Sequence, residues 1–288
     1  MCGITGLIHL DHSPVSSSVL KGMMDAIIHR GPDDEGQWIE RNVGIGHRRL
    51  SVIDLSKAGR QPMVSANDRF VLSYNGEVYN FLELRNELES KGHEFRSQTD
   101  SEVVLNALVE WGPKALTSFN GMFALALWDR KERTLLLARD RYGIKPLYIS
   151  QQGNILSFGS EQKAILKSPG FNQKLDKSAL LEYFTFQNIF SDRTLLEDIQ
   201  LLPPGNYGTL DLKSNKPLLK YIQYWDYDFR EPSEPASEKE YREELDRLFE
   251  QAVGRQLVAD VELGSYLSGG MDSGSITAVA AKAFPNLK

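Results

Sequence analysis

Cysteine occurs once in this 288-residue chain, at position 2, and the run Ile4-Thr5-Gly6-Leu7-Ile8-His9-Leu10 just after it reads as a strand. The fold must therefore present its own N-terminus at the edge of a strand. An ordinary lone cysteine is a small buried hydrophobe, but a chain terminus is a poor place to spend core volume. Removal of Met1 would leave Cys2 carrying both a thiol and a free α-amine. Such an amine titrates at about pH 8, so its neutral form can take the thiol proton without any histidine.

The remaining pattern is mostly β. Apolar spacing behind a serine cap predicts a helix over 16–29, broken by Arg30-Gly31-Pro32-Asp33-Asp34. Short β segments follow at 37–39 and 43–47, with Arg48-Arg49 just before Leu50-Ser51-Val52-Ile53. A strand over 70–74 runs into Asn75-Gly76, a pair that favours a tight turn with positive φ. Helices are expected at 81–91, ending at Gly92, and at 101–111, capped by Thr99-Asp100. Runs at 122–128, 134–138, 147–150 and 155–158 read as antiparallel strands joined by short turns. Strands dominating over a few helical blocks predict an α+β sandwich.

Leu202-Pro203-Pro204-Gly205 and a following strand close this region near residue 213. The polar, proline-rich stretch 229–237 has the composition of a linker, and 238–258 forms an amphipathic helix. Beyond it a strand at 263–267, a glycine loop at 268–273 and a helix at 274–283 would open a parallel α/β sheet, which one strand cannot complete. The expected organisation is a first domain over 2–213, a linker over 214–237 and the beginning of a second domain over 238–288.

A net charge of −6 without a long basic run argues against nucleic acid, whose phosphates need a clustered positive surface. The longest apolar runs, such as 122–128, are strand-sized, so no membrane span is expected. One cysteine makes no intramolecular disulfide and the N-terminus lacks a basic-then-apolar leader, so the cytoplasm is the expected compartment. The five histidines, at 9, 12, 29, 47 and 93, show no zinc spacing and read as surface or packing residues.

Leu267-Ser268-Gly269-Gly270-Met271-Asp272-Ser273 offers glycine-freed amides, hydroxyls and a helix N-terminus to an anion. It is neither a Walker A loop nor a dinucleotide fingerprint, and it resembles the pyrophosphate loop of enzymes that adenylate a substrate with ATP. Together with Met1-Cys2-Gly3-Ile4, Arg30-Gly31-Pro32-Asp33, His47-Arg48-Arg49-Leu50-Ser51, Tyr74-Asn75-Gly76-Glu77-Val78-Tyr79-Asn80, Thr99-Asp100-Ser101-Glu102, the run 139–148 and Leu202-Pro203-Pro204-Gly205, it makes the whole chain resemble the glutamine-hydrolysing asparagine synthetases. That family opens with a class II glutamine amidotransferase domain of the N-terminal-nucleophile type, an αββα sandwich.

The resemblance implies roles that glutamine hydrolysis requires. Cys2 would be the nucleophile, with the Asn75 side chain and Gly76 amide as oxyanion donors. Arg49 would clamp the glutamine α-carboxylate. Asp100 would pair with its ammonium, assisted by Glu77 and by backbone around Leu50, Ser51, Val52 and Ile53. From the residues alone, Arg48-Arg49 could equally be a solvated pair and Asp100 only a helix cap. Leu267, Ser268, Gly269, Gly270, Asp272 and Ser273 would bind ATP, with magnesium implied and its ligands unassigned; the glutaminase half needs no cofactor. Gly274 departs from the family, which usually has a further serine there. Arg30 to Asp33 and the run 139–148 are expected to shape loops, and Met122 is a candidate lining residue for an ammonia passage.

The implied substrates are glutamine, aspartate and ATP, giving asparagine through a β-aspartyl-AMP ester, and the family is compatible with a homodimer. Because family members are about twice as long, the 288 residues are expected to keep the glutaminase half alone. Two other readings stand beside it: an amidotransferase for another carboxylate such as a sugar acid, and a catalytically idle domain serving assembly or regulation.

Overall fold

Short alternating runs lay down most of the chain as β-structure. In the computed structural model, which describes residues 1–231, 235–284 and 287–288, the first elements are β1 (Gly3–His9), α1 (Ser17–Asp25), β2 (Asp34–Glu40), β3 (Val43–Arg49), β4 (Met63–Val64) and β5 (Phe70–Val78). Then come α2 (Phe81–Ser90), α3 (Asp100–Trp111), β6 (Gly121–Asp129), β7 (Thr134–Arg139), β8 (Tyr148–Gln152) and β9 (Ile155–Gly159). The series continues with α4 (Gln162–Ile165), α5 (Lys177–Phe186), β10 (Gln200–Leu201), β11 (Asn206–Asp211), β12 (Lys220–Gln223), α6 (Glu238–Arg255) and α7 (Met271–Ala283). Pro232, Ser233 and Glu234 of the expected linker, and Pro285 and Asn286 of the expected second domain, lie outside the described residues.

The chain divides into two compact units, one of Met1–Ser51 with Ser56–Asp226, the other of Val52–Leu55 with Tyr227–Lys288. The first holds two six-stranded antiparallel sheets, ordered β10-β8-β9-β1-β3-β2 and β12-β11-β7-β6-β5-β4. Ile4 and Ile8 of β1, Ile45 of β3, Val71 of β5, Trp128 of β6 and Phe158 of β9 pack into one cluster between the sheets. Each such side chain contributes on the order of 1.5–3 kcal/mol by leaving water. Leu7 turns to the other face of β1, against Val15 and Met23 of the α1 segment. Helices α1 and α4 cover the first sheet and α2 and α3 the second, so the layers run α, β, β, α. Gly6 keeps β1 close to β9, because a side chain there would collide with the Phe158 ring.

Several elements depart from their expected form. Helix α1 stops at Asp25, a tight 3-10 turn occupies Ile28–Arg30, and the Ser16 hydroxyl binds Ser18 instead of capping the backbone. Asn75-Gly76 is no turn: both residues lie inside β5, paired with Ala124 and Phe123 of β6. The pairing partner overrides the local turn preference, and the glycine is needed because an added Cβ would lie 2.7 Å from the Phe123 Cα. Strand β12 pairs with β11 inside the stretch expected to be linker, so the first unit continues past residue 213 to Asp226. Helix α5, capped by the Asp176 carboxylate on the amides of Ser178 and Ala179, gives no apolar stripe in the sequence and was not expected.

In the second unit α6 starts with a reciprocal capping box between Ser237 and Glu240. Residues 263–267 do not form the expected strand. Among the described residues they pair at one point, where Ser265 N–H donates to the Lys288 carbonyl at 2.8 Å and Lys288 N–H to the Leu263 carbonyl at 3.1 Å. That is the bonding pattern of a single parallel pair, and a strand needs a neighbour along its length. Helix α7 begins at Met271, three residues before the expected start, once Gly269 at φ +83° has turned the chain.

Candidate active site

Strand alternation sorts the residues at one end of the first unit. Along β3, Arg48 points to α1, where its guanidinium binds the Met24 carbonyl at 3.2 Å and forms close ion pairs with Asp25 and Glu35. Arg49, on the opposite face, donates to the Ser56 carbonyl at 2.8 Å and runs over Gly59, where an added Cβ would lie 2.8 Å from both the Arg49 Cζ and the Thr99 methyl group. Both arginines are buried, so neither belongs to a solvated pair.

Cys2 precedes β1 and is half-buried. The Leu50 amide donates to its sulfur at 3.4 Å, and Sγ lies 3.6 Å from the Leu50 carbonyl. Burial pushes the thiol above its ordinary range, opposed by the Leu50 backbone, the amino terminus and Arg49 and reinforced by Asp100. The loop carrying Leu50 is seated by the Arg30-Gly31-Pro32-Asp33 motif. The Asp33 amide donates to the Arg49 carbonyl at 3.1 Å and its carboxylate accepts from the Ser51 amide at 2.8 Å. Gly31 allows this approach, since any side chain there would strike the Arg48 backbone. Arg30 donates through Nε to the Cys2 carbonyl at 2.9 Å and through Nη1 to Glu161 at 3.1 Å.

Strand β5 supplies the opposite wall. The Ser73 hydroxyl donates to the Gly46 carbonyl at 3.2 Å, so Ser73, Asn75 and Glu77 share the face toward the first sheet. Asn75 is buried, and its Nδ2 has no hydrogen-bond partner among the described residues. Buried donors are normally paired, so such a group is a candidate for ligand recognition. On the backbone, the Tyr74 amide donates to Gln61 Oε1 at 2.7 Å and the Val78 amide to Asp100 Oδ2 at 3.0 Å. Phe123 spends its own amide and carbonyl on Asp140, so its pair with Gly76 carries no ladder bond. The Gly76 N–H accordingly points between those of Tyr74 and Val78, away from β6.

Asp100 is buried at the start of α3, where Thr99, not Asp100, supplies the capping oxygen, to the Glu102 amide. Asp100 Oδ2 accepts from Tyr74 Oη at 2.8 Å as well as from Val78. Burial raises its carboxyl to about 6 against these hydrogen bonds, with Glu77 adding to the rise. Glu77 is itself raised by burial, opposed by Lys145 and the amino terminus. His47, expected as a packing residue, is one: it is fully buried, lowered to about 3 by burial, and 3.2 Å from Ser73. The first unit thus brings together Cys2, Arg49, Leu50, Ser51, Asn75, Gly76, Glu77 and Asp100. Val52 and Ile53 belong to the second unit, in which the Val52 carbonyl accepts from Asp260 N–H at 2.9 Å.

Arg30 and Lys145, expected only to shape loops, reach the first two residues from other elements, Arg30 at the Cys2 carbonyl and Lys145 at the Met1 sulfur. Only a charged residue in an otherwise loop-forming motif could have signalled them. In the second unit, Ser268 and Ser273 hydroxyls lie 2.9 Å apart, Gly270 sits at the α7 cap, and residues 266–272 are exposed. Asp272 and Ser273 lie in the first helical turn instead of the loop. Nothing lies within 4 Å of a Cβ built on Gly274, so the missing serine would fit. Among the described residues no three His, Cys, Asp or Glu side chains gather as a metal-binding group, and no helix is long and apolar enough to cross a membrane.

A two-sheet αββα sandwich with a cysteine just ahead of an inner strand is the fold expected of the N-terminal-nucleophile amidotransferases. The chain belongs to the glutamine amidotransferase domain family, which it matches over residues 1–225; residues 244–288 match the asparagine synthase family. Asparagine synthetase [glutamine-hydrolyzing] 3 of Bacillus subtilis (strain 168) is 38% identical over 288 residues, 99% of this chain and 46% of that protein. A putative asparagine synthetase [glutamine-hydrolyzing] 2 of Methanocaldococcus jannaschii is 34% identical over 97% of this chain and 56% of its own length. Amidase chry2 of Gibberella zeae is 34% identical over 98% and 43%. The chain spans about half the length of the curated relatives it matches. In fold it is similar to the glutamine phosphoribosylpyrophosphate amidotransferase of B. subtilis complexed with ADP and GMP, with a TM-score of 0.58 at 16% identity, covering 99% of this chain and 65% of that one.

Proposed function

We propose that this chain hydrolyses glutamine to glutamate and ammonia at Cys2, as the amidotransferase part of an asparagine-synthetase-type enzyme. The observation that carries the reading is the buried Asn75 Nδ2, without a hydrogen-bond partner among the described residues, in a site with Cys2, the second residue of the chain. Once Met1 is removed, the Cys2 amine takes the thiol proton and the thiolate attacks the side-chain carbonyl of glutamine. The oxyanion accepts from Asn75 Nδ2 and from the Gly76 amide. The amine returns its proton to the leaving nitrogen, ammonia departs, and water opens the thioester to glutamate and restores the thiol. Arg49 holds the substrate carboxylate and Asp100, with Glu77, its ammonium.

The ammonia would be used by an ATP-dependent step in which aspartate is adenylated, pyrophosphate leaves and ammonia displaces AMP. The loop at 268–270 and the first turn of α7 would hold the phosphates, where backbone amides and the helix dipole favour negative charge. Magnesium would neutralise those phosphates when bound.

The test is a glutaminase assay on the purified 288-residue chain after mass analysis shows Cys2 as its first residue. Turnover that disappears in Cys2→Ala supports the reading; a processed chain without turnover refutes it. The same chain should form no asparagine from aspartate, glutamine and ATP. The second reading keeps the glutaminase and changes the acceptor to another carboxylate such as a sugar acid. Carboxylate-dependent ATP–pyrophosphate exchange, with aspartate compared against sugar acids in a version of the relatives' length, discriminates the two.

A further inference from the structure

Just ahead of the short strand β4, Gln61 is 4% exposed, and the two ends of its side-chain amide are spent on two different elements. Its Oε1 accepts from the Tyr74 amide of β5 at 2.7 Å, and its Nε2 donates to the Ser101 hydroxyl, in the first turn of α3, at 3.2 Å. The backbone accounts for this arrangement. Strand β4 pairs Met63 with Leu72, and Pro62 has no amide with which to continue the ladder. The next register position sets Gln61 opposite Tyr74, and there its side chain supplies the acceptor that a strand carbonyl would have supplied. Gly36 of β2 allows the close approach, because a Cβ there would strike the Gln61 carbonyl. Along the β5 edge beyond β4 lie the amides of Tyr74, Gly76 and Val78; the outer two are taken by Gln61 and Asp100, and the middle one is Gly76.

We propose that Gln61 is a positioning residue of the oxyanion site: by tying the Tyr74 amide to the start of α3, it holds the free edge of β5 in line and keeps the Gly76 N–H aimed at the position where the oxyanion forms. The proposal rests on the glutaminase reading, and it gives Gln61 a part in that chemistry through the strand, without contact to substrate. Tyr74 is gripped twice, at its amide by Gln61 and at its hydroxyl by Asp100 at 2.8 Å, and Ser101, which receives the other end of Gln61, follows Asp100 in the chain. Oxyanion donor and ammonium-binding carboxylate are thereby set against one helix start. A donor to an oxyanion works by being aimed beforehand, so a small rotation of the peptide at Gly76 is felt in the transition state more than in the bound substrate. Without the Gln61 side chain the buried Tyr74 amide has lost its acceptor, and the edge is drawn out of line in satisfying it.

The experiment compares the processed wild-type chain, Gln61→Met and Gln61→Glu in the glutaminase assay and by amide hydrogen exchange. Gln61→Met fills the same space without an acceptor, and its kcat should fall about tenfold or more while KM for glutamine stays within about twofold. Gln61→Glu keeps an oxygen for the Tyr74 amide and should recover most of kcat. Exchange in Gln61→Met should quicken about tenfold or more at Tyr74 and Val78, with the β6 amides of Leu125 and Leu127 at their wild-type rates. An unchanged kcat in folded Gln61→Met overturns the proposal, as does a kcat no better in Gln61→Glu than in Gln61→Met. So does exchange that quickens equally in β6, the mark of general destabilisation. If Gln61→Met does not fold, Ser101→Ala, which removes only the partner of Gln61 Nε2, carries the test: it should lower kcat about threefold with KM unmoved, and a wild-type kcat there overturns the proposal. Absence of wild-type turnover sinks the glutaminase reading and this proposal with it, whereas wild-type turnover left intact by Gln61→Met sinks the role of Gln61 alone.

Discussion

Replacing Asp100 by asparagine should make the protein more stable and its site worse. Asp100 is buried, and burial lifts its carboxyl from the ordinary 3.8 to about 6. At 1.36 kcal/mol per pH unit this corresponds to about 3 kcal/mol. The sign follows from proton binding: between about pH 4 and pH 6 the folded chain holds a proton here that the unfolded chain has released. Asp100 therefore lowers stability as pH rises through that window, and the loss is complete above it. Asparagine can keep an oxygen where Tyr74 Oη and the Val78 amide donate, and it never ionises. Urea denaturation of wild type and Asp100→Asn at pH 4 and pH 7.5 should show the variant gaining up to about 3 kcal/mol on the wild type across the interval. Glutamine binding to the inactive Cys2→Ala chain, followed by calorimetry, should weaken about tenfold per pH unit below pH 6, because a substrate ammonium needs the ionised carboxylate. In the Cys2→Ala, Asp100→Asn double variant, binding should be weaker by about 2 kcal/mol, near thirtyfold, and flat with pH. An equal stability difference at both pH values, or pH-independent binding with Asp100 present, would refute the reasoning.

Asn75→Ala should fold with a stability change within about 1 kcal/mol, since its Nδ2 has no partner to lose, and should lower glutaminase kcat by about a hundredfold or more. Gly76→Ala places a Cβ 2.7 Å from the Phe123 Cα, so a denaturant titration should register a loss of about 1–3 kcal/mol together with impaired turnover. Arg49→Lys removes the second arm of a planar fork; steady-state assays should show a raised KM for glutamine with the far-UV spectrum unchanged.

What could be read from the sequence divides by the range of the forces involved. The strand blocks, α3 with its Thr99 cap, and α6 with its capping box are dictated by near neighbours. Cys2, Arg49 and Asp100 were named from motifs whose chemistry is legible residue by residue. For Asn75-Gly76 the sequence suggests a turn and the structure has a strand, because the pair's turn preference is local and its place opposite Ala124 and Phe123 is not. The choice between Arg48 and Arg49 needed the facing of β3, and the contribution of Arg30 and Lys145 depends on contacts across 28 and 144 residues of sequence. Residues 263–267 have the composition of a strand, but a ladder is made by two segments.

One carboxylate joins the two walls around the amino terminus. Asp140 accepts from Phe123, opposite Gly76, and from the amides that shape the turn ending in Lys145. The strand opposite Gly76 and the turn ending in Lys145 are thus fixed to a common pivot. Damage at the buried Asp140 would leave the amides of Phe123, Tyr142, Ile144 and Lys145 without their acceptor and loosen both walls at once, so the site and the stability of the fold would fail together.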